Sequence, residues 1–295
     1  MLNTDYPDIL RASDSASLRA QCYYTNLFAG DILLLIAAAF ASLFRSISSG
    51  ALIQVCGIIA VVALGGSILI KLIMKAKRWD KLWFECRAIA ESVKTLTWRY
   101  IMGIPPYEFA QQPKIVNETF NREVGQITKG MPGAFAELVA FQSTGERITE
   151  GMRNSRVLDF KRRKQLYFEC RLKEQLDWYL YKARMNAKFT ERGFWIVFAL
   201  QAGSLGVGIY EIASPNSPII LAVLVSVITG SVAWMEMKRF RDLSYSYGLA
   251  SDELASVMAL WDHVASEDEL QLRVVQAEEA ISREHTMWCA KRLTV

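Results

Sequence analysis

The side chains of this sequence best suited to chemistry lie where polar groups are scarce. Gln54, Ser67, Gln201, Ser204, Ser226 and Thr229 each interrupt a long apolar run. An amide or hydroxyl deep in hydrocarbon turns toward protein or water, because lipid offers it no hydrogen-bond partner. Two roles follow: lining an aqueous pore shared by several chains, or bonding across helices as packing contacts. Asp31 and Lys71 sit near one edge of the first pair of runs. They either pair across two helices or reach separately to the interface. Ala199/Gly203, Ala202/Gly206, Ser204/Gly208 and Ser226/Gly230 have the small-xxx-small spacing that lets helix backbones approach closely in lipid. The spacing alone does not divide contacts within one chain from contacts between chains.

Elsewhere the means of catalysis run out. Cys22, Cys56, Cys86, Cys170 and Cys289 form no Cys-x-x-Cys pair. An odd, scattered set reads as reduced thiols. The two histidines, His263 and His285, belong to no cluster with metal-ligand spacing. Glu91 and Asp252 are carboxylates capable of acid–base work, but Arg87 stands four residues before Glu91, the spacing of a helical ion pair. Gly203–Gly208 reads GSLGVG inside an apolar run, with no strand before it, so it is no dinucleotide loop. There is no Walker loop, no His-Glu-x-x-His and no Gly-x-Ser-x-Gly. No catalytic, metal or cofactor residue is assigned, and the expectation is a protein that is not an enzyme. A net charge of +4 is too mild to point to direct nucleic-acid binding. The basic run Lys161–Lys164 reads as a partner contact or a solvated face.

The elements that position these residues are four apolar stretches: Leu27–Phe44, Leu52–Ile73, Gly193–Ile212 and Pro218–Met235. A spanning helix needs ~20 apolar residues to cross ~30 Å of hydrocarbon. The short junctions Arg45–Gly50 and Ala213–Ser217 make the stretches two hairpins. The competing arrangement is two buried hairpins of a soluble bundle. Lys and Arg decide orientation. Lys71, Lys75, Lys77, Arg78 and Lys81 follow the second stretch, and Lys182, Arg184, Lys188 and Arg192 precede the third. Lys238, Arg239 and Arg241 follow the fourth, whereas the junctions hold only Arg45. Both termini and the central segment are therefore expected in the cytosol, in a multi-pass protein of the inner membrane. Trp195 and Trp234 fall where an interfacial aromatic belt would lie. The polar opening MLNTDYPDILRASDS lacks the features of a cleaved leader, so the first spanning helix is expected to act as its own insertion signal.

The halves repeat. A shift of 161 positions takes KRWDKLWFECRAIAESVKTLTWRY at 77–100 onto KRFRDLSYSYGLASDELASVMALW at 238–261 without a gap. Lys77, Arg78 and Leu82 recur identically. Gln21 with Tyr24 matches Gln175 with Trp178 at a slightly different offset. Each copy reads as a leading helix, a spanning hairpin and a trailing helix. No proline occurs from Leu52 to Met102, so one unbroken helix of ~50 residues and ~75 Å is predicted there. Pro113–Lys129 reads as a helix opened by proline and closed by Gly130, and Ala134–Phe141 as a second short one. The predicted fold is all-α: two duplicated transmembrane hairpins whose long helices extend into a cytosolic helical bundle. The expected domains are 1–110 and 156–295, joined by a helical connector over 111–155.

At this point the sequence resembles a known family, the SLATT group of two-transmembrane effector domains associated with SMODS and SLOG proteins. In the second half the resemblance rests on Arg171-x-x-x-Gln175-x-x-Trp178-Tyr179-x-x-Lys182-Ala183 before the hairpin. Tyr247-x-x-x-x-Asp252-Glu253-Leu254 follows the hairpin, with Glu278-x-x-x-Ser282-x-Glu284-x-x-x-Trp288 at the end. His285 departs from the pattern, which has Asn there. In the first half Asp14, Gln21 and Tyr24 precede the hairpin. Arg87-Ala88-x-x-Glu91-Ser92-x-Lys94-x-x-x-Trp98-Arg99-Tyr100, Gly103 and Pro106 follow it. Glu278, Glu284 and Trp288 are expected to dock the last helix. The resemblance implies a membrane effector of a prokaryotic anti-phage system that oligomerises and perforates the cell's own inner membrane on infection. Its implied partners are the lipid bilayer, further copies of itself and a cytosolic sensor or nucleotide-signal-producing protein. The alternative is a non-conducting scaffold that recruits a cytosolic partner.

Overall fold

The computed structural model describes the backbone of residues 5–144, 146–214 and 217–293 and the side chains of 5–138, 146–214 and 217–282. These residues form eleven α-helices, one π-helical turn and no strand. The helices are α1 (Asp8–Ile47), α2 (Ala51–Lys77), α3 (Trp79–Met102), α4 (Pro113–Lys129), α5 (Pro132–Thr144) and α6 (Glu150–Arg156). They continue with α7 (Phe160–Tyr167), the π turn Phe168–Lys173, α8 (Glu174–Ala213), α9 (Leu221–Lys238), α10 (Phe240–Ala259) and α11 (Glu267–Leu293).

Local signals set many of the ends. Pro113 opens α4 and Gly130 closes it, as predicted. The Thr149 hydroxyl accepts from Met152 N at 3.2 Å to cap α6, and the Asp159 carboxylate caps α7 through Arg162 N at 3.0 Å. Ser266 and Glu269 form a reciprocal capping box at the start of α11. Glu85, buried on α3, caps α5 from a distance: it accepts from Ala134 N at 2.8 Å and pairs with Lys81 at 3.4 Å. Replacing Glu85 by Gln should therefore weaken α5 by about 1 kcal/mol, the usual scale of a lost cap. Hydrogen exchange should report it as faster exchange confined to the α5 amides.

Contacts divide the chain into two compact units, each drawing on both sequence halves. A polar unit comprises Met1–Gln21, Asp80–Ala183 and Tyr245–Val295, and an apolar unit comprises Cys22–Trp79 and Arg184–Ser244. The core of the polar unit packs Trp98 edge-on against Tyr167, with Ile89, Val93, Phe120, Leu172, Leu254 and Val274 fully enclosed.

The apolar unit holds the four predicted stretches, now parts of α1, α2, α8 and α9. All four helices are long and apolar enough to cross a membrane. Their apolar side chains mostly face outward: Val61 is 69%, Leu205 68% and Ile212 83% exposed. Side chains of this kind need an apolar solvent. The soluble-bundle alternative requires them buried in protein, and they are not. The chain is a membrane protein.

Inside this unit Ser67 is buried and donates to Asp31 at 2.5 Å, while Lys71 lies 3.6 Å from the same carboxylate. Asp31 therefore ties α1 to α2 at two points. The glycines divide. A Cβ at Gly230 would lie 2.7 Å from Ile32, so this position is filled by the chain's own packing. A Cβ at Gly203 or Gly206 would meet nothing. The Ser226/Gly230 pair thus packs within the chain, and the Ala199/Gly203 and Ala202/Gly206 pairs lie on an open face of α8.

One prediction fails. The run from Leu52 to Met102 is not a single helix, because Arg78 adopts φ 48°, ψ 44°, the left-handed region. Arg239 does the same, with φ 53°, ψ 38°. The two residues are related by the 161-position shift, and each amide closes on the carbonyl four residues back, Met74 in one copy and Met235 in the other. No proline or glycine signals either break. The duplicated backbone step accords with the repeat read from side-chain types.

Candidate functional site

A cavity of about 470 Å³ opens within the polar unit, a size suited to a small-molecule ligand. Four helices build most of its wall. From α1 come Asp14, Ser17 and Gln21; from α3, Trp83, Arg87, Glu91 and Lys94. From α8 come Glu174, Gln175, Trp178, Tyr179 and Lys182, and Tyr247 arrives on α10. Along α1 and α3 these residues recur every three or four positions, and along α8 as neighbouring pairs one turn apart, so each of these three helices contributes one continuous stripe.

Ten of the residues that carry the family resemblance meet here. Gln21, Arg87, Glu91, Gln175, Trp178 and Tyr179 line the same space, although 154 positions separate the two glutamines. Arg87 pairs with Glu91 at 2.6 Å, the i,i+4 contact predicted, and lies 3.5 Å from Asp14. Trp178, Tyr179 and Tyr247 form an aromatic corner. Trp178 stands edge-on to Tyr247 at 5.2 Å between ring centres, and Lys182 Nζ lies 5.6 Å from the Trp178 ring. Gln175 is only 9% exposed as a residue and makes no side-chain hydrogen bond to described protein atoms. Lys94 borders the cavity without an ion pair among the described residues. Desolvation lowers its pKa first, and the charge of Arg171 adds to that, against a smaller opposing pull from Glu91. Trp83, Glu174 and Tyr6 also reach the cavity and were missed in the sequence. The missed signal is the spacing: Trp83 precedes Arg87 by one turn, and Glu174 adjoins Gln175.

Next to the cavity lies a buried polar knot. Arg171, fully enclosed in the π turn, grips Glu278 of α11 with two parallel bonds: Nε to Oε1 at 2.9 Å and a terminal nitrogen to Oε2 at 2.7 Å. The Tyr167 hydroxyl donates to Glu278 at 2.9 Å, and the Thr95 hydroxyl donates to the same carboxylate at 2.8 Å. Burial pushes the Tyr167 hydroxyl well up, and the neighbouring carboxylate reinforces that. Glu278 thus joins α11 to the π turn and α3. The side chains of Glu284 and Trp288 lie outside the described residues. Trp98, also among the resemblance residues, is part of the core, not of the cavity wall.

The basic run Lys161–Lys164 splits. Lys161 and Arg162 are exposed, but Arg163 is buried and pairs with Glu267, and Lys164 donates to Val264 O at 2.9 Å. Half of this run is structural cement for the start of α11.

Of the polar residues in the apolar unit, Ser67 is tied to Asp31, as described above. Ser204 is buried and Thr229 exposed, and each returns its hydroxyl to the carbonyl four residues back, at 2.7 and 2.9 Å. Ser226 is half-buried. Gln54 and Gln201 differ: both amides are exposed, and neither bonds to a described residue. Among the described residues no group of three His, Cys, Asp or Glu side chains is placed to hold a metal. Burial pushes the Cys86 thiol up to about 12, aided by the carboxylates of Glu137 and Glu85, so it stays protonated near neutrality.

Comparison with known proteins agrees with this architecture. Residues 7–164 match the family described as SMODS and SLOG-associating 2TM effector domain 3, and residues 167–288 match the corresponding domain 1. The Pro113–Arg156 segment falls within the first match. No curated protein and no solved structure matches the chain. With two such modules in series over nearly its whole length, each contributing one apolar hairpin and one set of cavity residues, the chain belongs to the SLATT family of SMODS- and SLOG-associating two-transmembrane effectors.

Proposed function

We propose that this chain is the membrane effector of a prokaryotic anti-phage system: on a cytosolic infection signal it assembles with further copies of itself and opens or disrupts the inner membrane. The polar unit and both termini lie in the cytosol in this reading, which the Lys and Arg distribution supports. No catalytic step is involved. The observation that carries the proposal is the open face of α8. There Gln201 offers an unbonded amide at bilayer depth, beside glycines 203 and 206 with nothing packed on them. One chain supplies four spanning helices, too few to enclose an aqueous path alone, so the face is completed by neighbouring chains in a closed ring.

The test is leakage of dye from liposomes holding the purified chain, together with membrane potential in expressing cells. The Gln201→Leu substitution removes a contact worth about 1 kcal/mol per interface, or roughly a fivefold loss in each association constant. Leakage should fall accordingly. Full leakage by this variant would take Gln201 out of the pore. Growth arrest with an intact membrane potential would sink conduction altogether and favour the scaffold reading.

A further inference from the structure

We infer that the cavity of the polar unit is a receptor site for a flat-ringed organic anion of nucleoside-monophosphate size. Four observations converge on this. The space is about 470 Å³, enough for one such molecule and small for a peptide. Gln175, a residue only 9% exposed, presents to the cavity an amide, donor and acceptor together, that bonds no other described residue. An amide open to the cavity and not engaged by the protein can pair with the matching ring edge of a ligand, acceptor to donor and donor to acceptor. Lys94 projects an unpaired cation into the same space, while the nearby guanidinium of Arg87 is held by Asp14 and Glu91. Trp178 and Tyr247, fixed edge-on to each other, give a rigid aromatic wall on which a ring can stack.

Charge explains why the ligand is an anion. Desolvation and the charges of Arg171 and Arg87 penalise the charged form of Lys94, against a smaller opposing pull from Glu91 and Glu174. An incoming negative group relieves that penalty, whereas a cation would deepen it. The inference rests on the effector reading only for what occupancy does. On that reading a bound ligand ties α3 to α8, and so joins stripes contributed by the two modules.

The test uses the full chain in detergent, with the four common nucleoside 5′-monophosphates, adenosine and inorganic phosphate as probes. Calorimetry and quenching of tryptophan fluorescence are the readouts. At least one monophosphate should bind saturably and more tightly than either adenosine or phosphate alone. Lys94→Met and Gln175→Leu should each weaken it by about tenfold to a hundredfold, the worth of a charge-assisted or buried hydrogen bond. Gln175→Glu keeps the side-chain volume and sets a carboxylate against the anion, so it should weaken binding even if Gln175→Leu folds poorly. Saturable binding by none of the monophosphates overturns the inference. So does binding that Lys94→Met and Gln175→Glu leave unchanged. Binding without leakage would sink the pore and leave the site standing; leakage without binding would do the reverse.

Discussion

Replacing Glu278 by Leu should destabilise the polar unit by about 3–5 kcal/mol, the scale on which one half of a buried ion pair is missed. Arg171 is fully enclosed, and the carboxylate is what makes its charge tolerable there. With Glu278 gone, the guanidinium stays charged, because its pKa lies far above any working pH. Tyr167 and Thr95 lose their acceptor at the same stroke. The double variant Arg171→Met with Glu278→Leu removes both charges and refills the volume. It should recover most of the loss, since apolar replacement of a whole buried pair is often close to neutral. Thermal unfolding of the detergent-solubilised chain reads both. A single variant as stable as the double would mean that the pair is not desolvated in solution. Because Glu278 is the docking point of α11, the single variant should also expose that helix to protease before the rest of the unit.

Gly103→Val should cost about 2–4 kcal/mol, combining backbone strain with overpacking. Gly103 ends α3 at φ +66°, where a β-branched residue is poorly tolerated. The space is closed as well: a Cβ there would overlap the Phe109 ring. Phe109 is 38% exposed, but moving its ring gives up its contacts with two guanidiniums. The Arg163 guanidinium lies 4.2 Å from its ring centre and that of Arg156 4.6 Å, and Arg156 also donates to the carbonyls of Tyr100, Tyr107 and Glu108. Displacing the ring therefore loosens the clamp on the Gly103–Glu108 turn. Gly103→Ala should show the same sign at about half the size, and Phe109→Ala in the Gly103→Ala background should restore part of the loss. A melting temperature unchanged in Gly103→Val would contradict this packing.

What was legible in the sequence was what local chemistry dictates. The apolar runs announce membrane helices because nothing else explains that much consecutive hydrocarbon. Pro113 and Gly130 bound α4 because each fixes its own backbone. Arg87 meets Glu91 because a helix leaves them adjacent. The residues that carried the family resemblance were legible as a pattern but not as a place. That Gln21 and Gln175 face one cavity depends on how four helices pack, which no single stretch encodes. Arg163 looked like any member of a basic run; only the position of Glu267, 104 residues away, makes it structural. The small-xxx-small pairs likewise needed packing to sort them, with Gly230 against Ile32 and Gly203 facing open space.

The left-handed steps at Arg78 and Arg239 have a consequence for how the trailing helices behave. Proline would forbid an unbroken helix at these points, and glycine would make the bend nearly free of strain. Arginine does neither: it is a good helix former held about 1 kcal/mol or so above its preferred backbone state. Each step instead ends its helix on a residue whose own propensity would continue it. The same step, set twice in one chain at matching positions, is held in each copy by one cap bond against a small backbone cost.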